Sequence, residues 1–200
     1  MRIYVARHGQ TQWNAEDRVC GSTDLPLNEV GIAQARALAE TAAGYSIDLI
    51  LCSPLLRARQ TAAAIAERCG TPIVIEERLR EQDFGESEGK NRQDPEYKRN
   101  KVQFAYRHPG GESPLQVVAR VYAVLEEIKE KYQGKTILLV CHGCVCRAIR
   151  SYFVSCTNEE YSQFLEDNTG IREYELCKAA PNHGFGAAFI ILRKDPHFYG

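Results

Sequence analysis

No stretch of the chain approaches the ~20 consecutive apolar residues that a membrane-crossing helix needs, which excludes a helical membrane protein. The opening MRIYVARHGQ has neither the apolar core nor the small-residue cleavage site of a secretory signal, so a cytoplasmic protein is expected. Charge of one sign is missing too: 25 Lys and Arg against 26 Asp and Glu leave a net charge of -1. That balance excludes a general nucleic-acid binder, which neutralises phosphates with a basic face. Eight cysteines in 200 residues are too sparse for a small disulfide scaffold, and in a reducing compartment they are expected as free, packed thiols. No internal repeat, low-complexity tract or linker interrupts the chain, and one domain over residues 1–200 is expected. No signal for an oligomeric state is readable.

What is present is an alternation of strand and helix. Residues 2–6 (RIYVA), 49–52, 73–75, 136–140 (TILLV), 171–176 and 187–192 are short apolar runs that read as strands. Between them, Asn28 is placed to cap a helix to about Thr41, with Ile32, Ala35, Leu38 and Ala39 on one face. Residues 55–69 form an alanine-rich helix stopped by Gly70. Ser113 and Pro114 open a helix to about Tyr132, with Val117, Val121, Leu125 and Ile128 as its apolar face. Further helix is expected to about Leu165. Residues 80–113 are polar and aperiodic, which predicts an insertion covering a pocket. The pattern predicts a three-layer α/β/α sandwich around a mostly parallel sheet of about six strands.

In such sheets ligands bind beyond the carboxyl ends of the strands. There the sequence places Arg7 and His8, then Arg57 in SPLLR, then Glu81, then His142. Two guanidinium forks match the oxygens of a tetrahedral oxyanion. A neutral imidazole is a good nucleophile, a second can donate to a phosphoryl oxygen, and a carboxylic acid can protonate a leaving alkoxide. Phosphoryl transfer needs little beyond positioning and positive charge, so the set requires no metal or other cofactor.

Six segments, in order, resemble the histidine phosphatase superfamily, the group of phosphoglycerate mutases and their phosphatase relatives: ARHGQTQWN, GSTDLPLNEVGIAQA, SPLLRARQTA, LREQDFGESEG, GGES and VCHGCVCRAI. The resemblance implies that His8 is the phosphorylated nucleophile, that Arg7, Arg57 and His142 form the phosphate pocket, and that Glu81 donates the proton. Asn14 matches a family position that contacts phosphate. Gln10, Thr11, Ser22 and Gly143 complete the expected substrate contacts, with Ser22 standing where many relatives carry an amide. The implied substrate is a small phosphate ester.

The fourth motif usually reads Ser-His-Gly-Gly in this family, so Cys141 and Cys144 replace small residues around His142. A tetrahedral metal site would need His142 turned away from the pocket, and the cysteines are read as packing residues. Asp83 and Glu86 are the other acids close to Glu81. His108, His183 and His197 are read as surface histidines. EQDFGESEG resembles the compact phosphatases more than the mutases, which read Glu-Arg-His-Tyr-Gly there and carry a longer insert with paired arginines. A phosphatase is therefore expected, with a mutase as the alternative. A non-catalytic scaffold would be expected to lose His8 or Glu81, and both are present.

Overall fold

The computed structural model describes residues 1–176. Five strands form one sheet: β1 (Arg2–Arg7), β2 (Leu49–Cys52), β3 (Ile73–Ile75), β4 (Ile137–Cys141) and β5 (Ile171–Glu175). Their order is β3-β2-β4-β1-β5, with every pairing parallel except β1 with β5. The sixth expected strand, at 187–192, lies outside the described residues.

Alternation along the strands gives the sheet two apolar faces. Ile3, Val5, Ile137 and Leu139 pack beneath α5 (Pro114–Lys131) and α6 (Gly143–Phe153), whose Val121, Leu125, Ile128, Val145 and Ile149 are buried there. Tyr4, Ala6, Leu138 and Val140 point the other way. They pack on α2 (Glu29–Ala42) and α3 (Leu56–Cys69) through Leu38, Ala42, Ala58, Ala62 and Ile65. This is the three-layer sandwich that the β-α alternation predicts.

The caps fall where the sequence puts them. Gly31 N–H donates to Asn28, Gln116 N–H donates to Ser113, and Gly70 takes a left-handed φ of 66° beyond α3. Three details differ. In α2 the buried stripe is Gly31, Ala35, Leu38, Ala39 and Ala42, and Ile32 lies to one side of it, 42% exposed. The helix expected to about Leu165 comes as two pieces, α6 ending at Phe153 and α7 (Asn158–Gln163), because Thr157 and Glu160 make a capping box that starts a new helix. Residues 80–113 are not all loop: they hold a 3₁₀ turn, Gly85–Ser87, and α4 (Pro95–Lys101) behind an Asp94 cap. Seven residues are too few to show a helical period, but Asp-Pro is a start signal that composition masked. The four-residue α1 (Gln12–Ala15) completes the helices among the described residues.

Candidate active site

Three neighbouring parallel strands stop at one level, since Arg7 pairs with Cys141 and Cys52 with Val140. The next residue of each strand is therefore delivered to the same place: His8 from β1, Ser53 from β2 and His142 from β4. The backbone continues the ladder one step further, with His8 N–H donating to Cys141 O at 3.0 Å and Ser53 N–H to Val140 O at 3.0 Å. The two imidazoles lie 5.0 Å apart between ring centroids. The turn after His8 needs glycine, because a Cβ on Gly9 would stand 2.4 Å from Gly31 O in the first turn of α2.

His8 is buried, and its Nδ1 lies 2.6 Å from Gly9 O. A carbonyl only accepts, so Nδ1 carries the hydrogen and Nε2 keeps its lone pair. Burial, then the charges of Arg57 and Arg7, hold His8 well below its ordinary pKa, so the ring is neutral. His142 is neutral for the same reasons, burial first, then Arg57, His8 and Arg7. Its Nε2 lies 2.6 Å from Ser53 Oγ, which already accepts Leu55 N–H. With the serine hydrogen donated to Nε2, the neutral ring carries its own hydrogen on Nδ1, on the opposite side.

Four buried side-chain polar atoms among the described residues have no partner, and three of them are Arg7 Nε, Arg57 Nε and His142 Nδ1. An unpaired buried donor is costly, and three in one site call for an acceptor. The guanidinium ends are fixed in advance. Arg57 donates to Thr23 O at 2.9 Å and Gly21 O at 2.6 Å, and Arg7 donates to Glu166 O at 3.2 Å.

Glu81 lies against the start of α6, where its carboxylate accepts Cys144 N–H at 3.2 Å and Gln82 N–H at 2.9 Å. A Cβ on Gly143 would lie 3.7 Å from Glu81 Oε2 and 3.9 Å from Arg7 Nε, so Gly143 keeps the acid and the arginine close to one point. The other acids of the loop are placed differently: Asp83 accepts Gly85 N–H, Glu86 is exposed, and Glu88 holds Ser22 and Thr23.

Asn14 Oδ1 accepts Thr11 N–H in a capping box, while Thr11 Oγ1 accepts Asn14 N–H. Gln10 accepts from the Asn28 amide. These three residues therefore shape the turn after His8. Ser22 gives both its N–H and its hydroxyl to Glu88. Among the cysteines, Cys141, Cys144 and Cys146 are buried, with Cys141 and Cys146 sulfurs 3.6 Å apart. No group of three or more His, Cys, Asp or Glu among the described residues could hold a metal ion.

Sequence reasoning missed Ser53, although it is the first residue after β2, and the strand-end rule that found His8 and His142 could have found it. It also missed residues 166–168, where Glu166 O receives Arg7 and the Asn168 amide donates to His8 O. No motif marks that segment. His108, expected at the surface, is 2% exposed: Phe84, Tyr97 and Tyr106 surround it, and its Nδ1 meets Ser87 Oγ at 3.2 Å. His183 and His197 lie outside the described residues.

The chain is similar to several known proteins. A protein of Salmonella choleraesuis named "Probable phosphoglycerate mutase GpmB" is 40% identical over 150 residues, 72% of this chain and 70% of the relative. Among solved structures, a mycobacterial glucosyl-3-phosphoglycerate phosphatase superposes with a TM-score of 0.76 at 26% identity, covering 86% of this chain and 88% of the other. The alpha-ribazole phosphatase of Shigella flexneri gives 0.78 at 27% identity, with 89% and 92% covered. The profile of the histidine phosphatase superfamily (branch 1) matches residues 3–182, and the chain belongs to that superfamily.

Proposed function

We propose that the protein hydrolyses small phosphate monoesters in the cytoplasm through a phosphohistidine on His8. The observation that carries this reading is the set of three unpartnered donors, Arg7 Nε, Arg57 Nε and His142 Nδ1, beside an imidazole whose Nε2 is left free. A phosphoryl group supplies the missing acceptors. His8 Nε2 bonds to phosphorus as the ester P–O bond breaks, and Glu81 gives its proton to the departing oxygen. Water then attacks the phosphohistidine, Glu81 takes the water's proton, and inorganic phosphate leaves with His8 restored. The arginines and His142 hold the equatorial oxygens in both steps, and residues 80–113 cover the site. Asn14 presents its amide nitrogen to the same phosphate, and Gln10, Thr11 and Gly143 keep the phosphate loop in shape.

A mutase is the second reading, favoured by the name of the 40% identical relative. One experiment separates the two. With 3-phosphoglycerate in excess EDTA, a hydrolase releases free phosphate, and His8→Ala abolishes both turnover and the acid-labile phosphoenzyme. Formation of 2-phosphoglycerate faster than phosphate release would make the protein a mutase. Activity lost to EDTA and restored by metal would overturn the proposed chemistry.

A further inference from the structure

The hydrogen bonds of the Glu88 carboxylate go to Ser22, Thr23 and Phe84 and not to Arg7, His8, Arg57 or His142, yet they organise the loop that holds one wall of the phosphate pocket. Oε1 of Glu88 accepts Ser22 N–H at 2.6 Å, Ser22 Oγ–H at 2.8 Å and Phe84 N–H at 3.4 Å. Oε2 accepts Thr23 N–H at 2.8 Å and the Thr23 hydroxyl. One carboxylate thus gathers five donors, four of them from two consecutive residues. Those two residues sit between the carbonyls that fix Arg57, Gly21 O and Thr23 O. Gly21 is pressed so closely under this segment that a Cβ would lie 2.4 Å from Gln82 O and 2.6 Å from Glu88 Oε1.

We infer that Glu88 is a positioning residue for Arg57: it pins residues 22 and 23 so that their carbonyl neighbours hold the guanidinium with Nε turned to the phosphate. The inference rests on the proposed role of Arg57 in holding phosphate. It assigns Ser22 to this cradle rather than to the substrate. It also makes residues 81–88 a single device, with the acid at one end and the anchor of the phosphate-holding arginine at the other. Burial pushes Glu88 up, but the hydrogen bonds from Thr23 and Ser22 outweigh it and hold the carboxyl below its usual pKa, so the anchor is charged at neutral pH. A glutamine there cannot accept all five donors at once, since one of its ends is itself a donor.

The test is a double-mutant cycle read by orthovanadate binding, with para-nitrophenyl phosphate turnover measured alongside. Glu88→Gln should weaken vanadate binding roughly 10- to 100-fold when Arg57 is present, and less than about threefold in the Arg57→Lys background. A merely structural role would give the same loss in both backgrounds, and that result overturns the inference. Should Glu88→Gln fail to fold, Thr23→Val removes one of the five donors and should lose roughly 3- to 10-fold, again only with Arg57 intact. Coupling in the binding cycle without turnover of any phosphate ester would sink the hydrolase reading and leave the positioning role standing.

Discussion

Two regions contribute to the site, and they are built by different means. The strand-end wall, carrying His8, Ser53 and His142, is held by the parallel ladder itself: each residue lies one step beyond a buried strand, the backbone N–H groups of His8 and Ser53 extend the sheet's hydrogen bonding, and His142 opens α6. Residues 80–113, carrying Glu81 and Glu88, have no named strand and, beside the 3₁₀ turn at Gly85–Ser87, one seven-residue helix. There carboxylates do the holding. Glu88 gathers Ser22, Thr23 and Phe84, while Glu112 receives Arg80, Arg120 and Asp83 N–H. A ladder places side chains by periodicity. A network of carboxylates places them by charge.

The largest test of that contrast removes the chemistry of the second region and keeps the first. Glu81→Gln should slow alkyl phosphates by roughly 10²–10⁴-fold, the usual worth of a general acid. Para-nitrophenolate leaves without a proton, so its ester should lose far less. Because Glu81 also serves the water step, the comparison belongs in single-turnover bursts, where phosphoenzyme formation is read directly. Equal losses on both esters would deny Glu81 the role of acid and leave residues 80–113 as a cover alone.

This contrast also explains what could be read from the sequence. The β-α alternation gave five strands within a residue or so of their observed bounds, because strands covered on both faces are short unbroken apolar runs. His8, His142, Arg57 and Glu81 were legible because they follow strands or sit in ordered motifs. The Asp94 cap, the buried His108 and the anchor at Glu88 were not. The cap is local, but its seven-residue helix is too short to show a period; the other two depend on contacts between residues far apart in sequence, such as Glu88 with Ser22, and no local period reports those. Residues 166–168 were hidden for the same reason, reaching back to Arg7 and His8 across the whole chain.

Acid should strain the two regions unequally. Folding holds His8 and His142 well below their ordinary pKa, and His108 is lowered too, by burial and then Lys90. A histidine with a depressed folded pKa binds fewer protons folded than unfolded once the pH drops below about 6.5, so stability falls as the pH falls through that value. Each fully depressed histidine costs about 1.4 kcal/mol per pH unit below it, until the folded pKa is reached. Urea unfolding at pH 7.5 and 5.5 should therefore show a smaller acid loss in His142→Gln than in the wild type, with His108→Gln relieving less. Saturating phosphate should also shrink the loss, because an anion beside both pocket histidines offsets the arginine charges. A pH slope untouched by His142→Gln would mean that carboxylates, not the strand-end histidines, set the acid limit.

The smallest effects compare one kind of hydrogen bond in both settings. Asn28 caps α2 by accepting Gly31 N–H at 2.8 Å, and Asp94 caps α4 by accepting Tyr97 N–H at the same distance. Removing either acceptor with alanine costs about 1 kcal/mol locally. What differs is what each helix carries. Helix α2 buries Ala35, Leu38, Ala39 and Ala42 against the sheet, and its Gly31 backs the turn of His8, so it unfolds only with the whole fold. Helix α4 buries Tyr97 alone. Asn28→Ala also gives up the amide's bond to Gln10, so it should lower the global unfolding free energy by about 1–2 kcal/mol and leave proteolysis of residues 80–113 unchanged. Asp94→Ala should leave the urea midpoint in place and raise cleavage within that segment about fivefold, the factor that 1 kcal/mol gives a local opening equilibrium. If Asp94→Ala moves the midpoint as far as Asn28→Ala does, the segment melts with the sheet, and its carboxylate network is as cooperative as the ladder.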